Sequence, residues 1–84
     1  MNKFKLGQKV YFLNYIYGFC KLECMVISQI KINIYNCVVY EGKWHNNKTT
    51  YHNMREEELY ESLEKLKIDL FRKITEINEE SAND

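Results

Sequence analysis

No proline occurs in the 84 residues, glycine occurs only three times and alanine once. Turns therefore fall to the glycines and the asparagines, and a glycine-rich loop that cradles phosphate is excluded. There is no HExxH motif and no CxxC pair, the tight spacing that structural zinc usually takes. Arginine stands only at positions 55 and 72. That scarcity argues against a dedicated reader of bases or phosphates, because the guanidinium group supplies their bidentate contacts. No run approaches the roughly 18 apolar residues that span a bilayer. Near the N-terminus, Gly7, Gln8 and Lys9 interrupt the sequence before a secretory apolar segment reaches working length. The three cysteines, Cys20, Cys24 and Cys37, are odd in number and fit a reducing, cytoplasmic setting. Net charge is also lacking: 12 basic residues balance 12 acidic ones, which argues against adhesion to DNA or lipid by bulk charge.

What is present is ordinary for one folded domain, with 45% apolar and 29% charged residues. Lys, Asn, Ile and Tyr account for 34 of the 84 residues. All four have AT-rich codons, as expected of an AT-rich bacterium or of a phage or mobile element living in one. The zero net charge conceals a division. Residues 1–54 hold seven lysines against Glu23 and Glu41, a net of +5, and residues 55–84 hold five basic against ten acidic residues, a net of −5.

The apolar period changes once. From Lys9 to about Asn53 the chain is rich in β-branched and aromatic residues broken by turn formers, which predicts strands. Strands are expected at Lys9–Leu13, Lys21–Ile32, Tyr35–Glu41 and Thr49–Asn53, with a short fifth at Leu59-Tyr60. Asn14–Phe19 and Gly42–Lys48 read as loops and Asn33 as a turn residue. In the long second strand Leu22, Cys24, Val26, Ser28, Ile30 and Ile32 alternate with Glu23, Met25, Ile27, Gln29 and Lys31. Its length suggests a bent strand shared by two halves of a small barrel. Further on, Leu59, Leu63, Leu66, Leu70, Ile74 and Ile77 recur at helical spacing, with Phe71 beside them. Ser62 is the expected N-cap, and Asn53 with Glu56 offers an earlier turn. The expected division is a barrel over 1–61, an amphipathic helix over 62–79 and a frayed tail over 80–84. The helix stripe, Leu63, Leu66, Leu70 and Ile74, packs on the barrel or on a second copy, giving a monomer or a homodimer.

Phe4-x-x-Gly7-x-x-Val10-Tyr11-Phe12, then Gly18, then Val26 and Ile30, resembles the opening of small SH3-like barrels of the KOW/Tudor sort. Arg55-Glu56-Glu57-Glu58-Leu59-Tyr60-Glu61-Ser62 resembles the strand-to-helix passage of short phage and mobile-element proteins. The resemblance implies a mainly β fold with a C-terminal helix (α+β), a five-stranded barrel, and a binding role without catalysis.

For chemistry, Cys20, Cys24 and Cys37 with His45 or His52 are candidate zinc ligands or a candidate nucleophile and base. Core thiols are the simpler reading, because no strained turn or oxyanion nest is evident. No catalytic residue, cofactor or metal is expected. Two binding readings remain open. A protein partner would meet the acidic face Glu57, Glu58, Glu61, Glu64 and Asp69. Small, partly acidic phage inhibitors of bacterial defence, anti-CRISPR proteins among them, occupy sites built for nucleic acid in this way, which makes a host defence nucleoprotein the expected partner. Single-stranded nucleic acid would instead use Tyr15, Tyr17, Lys21, Lys43, Trp44 and Lys48, with aromatics to stack bases and lysines for phosphates.

Overall fold

A computed structural model of the chain describes residues 2–16, 18–43 and 49–83. Four strands, β1 (Lys9–Ile16), β2 (Phe19–Ile32), β3 (Val38–Lys43) and β4 (Thr50–Arg55), form one antiparallel sheet in sequence order. A one-turn 3-10 helix, Glu56–Glu58, then leads into helix α1 (Leu63–Asn83). The chain is thus mainly β with a C-terminal helix. No helix among the described residues is long and apolar enough to cross a membrane.

The sheet is open, where a closed five-stranded barrel was expected. Its fifth strand shrinks to one bridge, in which Tyr60 and Tyr11 exchange backbone hydrogen bonds of 2.8 and 2.9 Å. The 3-10 turn ends at Glu58 and the helix starts at Leu63, so the chain has no length for more. Leu59 uses that passage to enter the core. The sheet is nevertheless strongly curled. In a flat sheet β1 and β4 would lie about 14 Å apart, three interstrand spacings. Phe12 on β1 and Tyr51 on β4 instead meet edge to face with ring centroids 4.8 Å apart.

Two bulges produce the curl. One interrupts the β2–β3 register between Ile27 and Gln29, the other the β3–β4 register between Tyr40 and Gly42. An extra residue re-phases the pleat. Met25 and Ile27 therefore face the core before the first bulge, and Ile30 packs against it afterwards. The single alternating face expected from Leu22 to Ile32 is broken there, and Leu22, Val26 and Ile32 are exposed. On β4 the irregularity is absorbed by Asn53, which adopts a left-handed φ of 54° rather than starting a helical turn.

Strand limits move for local reasons. Ile16 pairs with Phe19, so β1 and β2 both extend into the expected 14–19 loop, and Gly18 takes a left-handed φ of 81°. Tyr35 sits in the β2–β3 turn, not in β3. The Asn33 carboxamide oxygen accepts the backbone N–H groups of Tyr35 (2.9 Å) and Cys37 (3.0 Å) and ends the strand. Gly42 and Lys43 belong to β3, not to the loop that follows.

The core gathers Phe4, Val10, Phe12, Met25, Ile27, Tyr40 and Leu59. Three tyrosines tie its periphery together, each donating its hydroxyl to a carboxylate: Tyr40 to Glu56 (2.6 Å), Tyr51 to Glu23, and Tyr60 to Asp69. Glu56 also accepts the Lys3 backbone N–H at 3.0 Å, which pins the N-terminal arm. Burial and the Glu23 carboxylate push the Tyr51 phenol up to about 12. Burial and Glu56 raise Tyr40, and the bond to Asp69 with burial raises Tyr60. Raised folded-state values stabilise the protein below the unfolded tyrosine value of about 10. Above it the unfolded chain ionises first. Stability is expected to fall between about pH 10 and about 12. Chemical denaturation across that range should show a shallower decline for Tyr51→Phe; equal slopes for both proteins would contradict the assignment.

At the helix start the Ser62 hydroxyl accepts the Lys65 N–H at 3.2 Å, the N-cap bond expected, worth about 1 kcal/mol. The backbone is helical to Asn83, so the region expected to be a frayed tail from residue 80 continues the helix.

Candidate functional site: a cleft between β1 and the helix

The outer face of β1 presents Tyr11, Leu13 and Tyr15, because Val10 and Phe12 take the inner positions. The Tyr11–Tyr60 bridge brings the 3-10 turn alongside this face, and α1 packs on β1. The result is an open cleft of about 200 Å³ lined by Leu13, Tyr15, Glu57, Glu58, Tyr60 and Lys73. Tyr15 is 73% exposed at its edge. Arg55 sets the acidic rim, its guanidinium lying 2.8 Å from Glu58 and 3.4 Å from Glu57. On the helix side Asp69 accepts Tyr60 and pairs with Lys73 (3.1 Å) and Arg72 (2.6 Å). Those bonds, Tyr60 first, hold the Asp69 carboxyl below its ordinary value, and Asp69 in return raises Lys73. Asp69 thus orients two residues of the cleft wall.

The acidic set does not form one face. Glu57 and Glu58 line the cleft, Glu61 pairs with Lys65 and Glu64 is exposed on the helix. Asp69 is turned toward Tyr60 and neutralised by its two cations.

The nucleic-acid set is also dispersed. Tyr17, Trp44 and Lys48 lie outside the described residues. Lys21 faces the side of the β1–β2 ribbon opposite Tyr15, because it pairs with Asn14, and it lies 3.7 Å from Glu23. Lys43 is exposed at the far end of the outer face, where Val26 pairs with both Lys9 and Lys43.

Of the helix stripe, Leu66 is only 1% exposed. Leu63 and Leu70 are half-buried and Ile74 is 48% exposed. The N-terminal part of the stripe is therefore occupied by the chain's own sheet and is not free for a second copy.

Cys24 is buried, with its thiol pushed up by burial, whereas Cys20 and Cys37 are exposed. Cys20 and Cys24 lie four positions apart on one strand, about 13 Å, too far to share a metal. His45 lies outside the described residues, and His52 is engaged with Glu41. Among the described residues no three metal-ligating side chains cluster.

Sequence reading missed Leu13, Tyr60 and Lys73 as cleft residues. The one signal for them was the five-residue spacing between the Glu56–Glu58 acids and the Leu63 stripe, too short to leave the two apart. No family model matches the chain, and no curated protein or solved structure matches it.

Proposed function

We propose that this chain is a non-enzymatic binding protein that recognises a basic protein surface through the β1–α1 cleft. The supporting observation is the convergence of Tyr15, Leu13 and Tyr60 with Glu57 and Glu58 in one cleft. An aromatic wall beside two carboxylates suits an arginine or lysine side chain, which can stack on the ring and pair with an acid. Glu57 and Glu58 outnumber Arg55, the cation they share, so the rim beside Tyr15 keeps a net negative charge, which disfavours a phosphate backbone there. An SH3-like ancestry with an unclosed barrel is compatible with the curled sheet. A partner that itself binds nucleic acid, such as a host defence complex blocked by a phage-type inhibitor, is the partner class we favour. It carries the basic surfaces this cleft would meet.

A second reading rests on Lys9 and Lys43 flanking Val26 on the outer face, a short positive row that single-stranded nucleic acid could follow. Affinity capture from a bacterial host lysate separates the two. We expect a protein partner retained by the wild type and by Lys43→Glu but lost with Tyr15→Ala. Salt-sensitive binding of a single-stranded oligonucleotide, abolished by Lys43→Glu and indifferent to Tyr15→Ala, would overturn the protein-binding reading.

A further inference from the structure

Beyond the cleft, helix α1 carries a second apolar feature. Ile68, Phe71 and Ile74 are 69%, 73% and 48% exposed. They stand three residues apart, so they form one ridge winding along the helix, and Ile77 continues the spacing in the sequence. Every residue from Phe71 to Thr75 is exposed, so the sheet covers no side chain in that stretch of the helix. Propensity alone leaves so exposed a stretch of helix marginal in water, because most helical stability in proteins comes from packing an amphipathic face. Packing of an apolar ridge is the usual remedy.

We infer that this ridge pairs with the same ridge of a second copy of the chain, the two helices running antiparallel. The charge pattern selects both the occupant and the direction. Residues 63–73 hold Lys65, Lys67, Arg72 and Lys73 against Glu64 and Asp69, a net of +2. Residues 74–83 hold Glu76, Glu79 and Glu80, a net of −3. Antiparallel pairing sets each positive half beside the partner's negative half, twice over by symmetry. Parallel pairing would set like against like. Among the described residues Lys67 has no ion pair, which leaves it available to cross to the second copy. This contact uses a different face of the helix from the cleft, so its failure would leave the binding reading untouched.

Sedimentation equilibrium of the full chain tests it. At low salt the mass should rise with concentration from 10.2 kDa toward twice that value, and fall back in high salt. Phe71→Asp should keep the protein monomeric, and at concentrations where the wild type is also monomeric it should leave the thermal midpoint unchanged, because Phe71 is exposed on the single chain. Lys67→Glu should weaken association at least tenfold, and adding Glu79→Lys should restore it. A single-chain mass up to about 1 mM, where association is weaker than about 4 kcal/mol, would overturn the inference. So would a dimer indifferent to Phe71→Asp. A dimer lost in Lys67→Glu but not restored by Glu79→Lys would refute the antiparallel arrangement.

Discussion

Replacing Gly42 by alanine is expected to cost about 3 kcal/mol of folding stability, the upper part of the range for overpacking. A Cβ at this position falls 2.7 Å from the Val26 carbonyl oxygen and 2.7 Å from Met25 Sδ. The methionine can turn aside, since it is long and flexible. The carbonyl cannot, because it belongs to β2 immediately before the bulge and Val26 is in register with Lys43 next door. Relief would require β2 and β3 to separate at the point where the sheet curls. Gly7 and Gly18 give the contrast: both have φ of 81° but open space around them, so alanine there meets only the left-handed backbone penalty of about 1–2 kcal/mol. In a chain of this size a 3 kcal/mol loss lowers the midpoint by more than about 12 °C. A decline for Gly42→Ala under about 4 °C would contradict the close approach.

Leu66→Ala is expected to cost a similar amount, about 3 kcal/mol, by a different route. Leu66 lies outside the main core cluster yet is fully buried, because it seats α1 on the sheet. Truncating it opens a cavity between helix and sheet, leaving the half-buried Leu63 and Leu70 and the Tyr60–Asp69 bond to hold the helix in place. With the seat loosened, Lys73 loses its fixed place on the cleft wall. Urea denaturation should show the reduced midpoint, and binding by the cleft should weaken with it. A cost under about 1 kcal/mol would mean that the helix is held by other contacts.

These two residues also show what the sequence could and could not convey. Leu66 was legible, since the stripe from Leu59 to Ile77 has an unmistakable helical period and Ser62 stands where a cap belongs. Gly42 reads in the sequence as the start of a loop but lies within β3. Glycine signals a turn far more often than a close backbone approach, and nothing local separates the two. The bulge after Ile27 was equally hidden. Apolar residues occupy both phases of β2, Leu22 and Val26 on one and Met25 and Ile27 on the other, so alternation alone cannot choose the core face. The acids Glu57 and Glu58 and the aromatic Tyr15 were each identified, but for opposing functions. Their meeting depends on the Tyr11–Tyr60 bridge, a pairing 49 residues apart that no local pattern encodes.

The binding account rests on that meeting. The direct measurement is an amide chemical-shift titration of the isotopically labelled chain with an arginine-rich peptide and, separately, with a single-stranded oligonucleotide. The account predicts that the peptide perturbs Leu13, Tyr15, Glu57, Glu58 and Tyr60, that Glu57→Lys with Glu58→Lys abolishes the effect, and that the oligonucleotide leaves these residues unmoved. Oligonucleotide-induced shifts centred on Lys9, Val26 and Lys43, with no response of the cleft to the peptide, would contradict it.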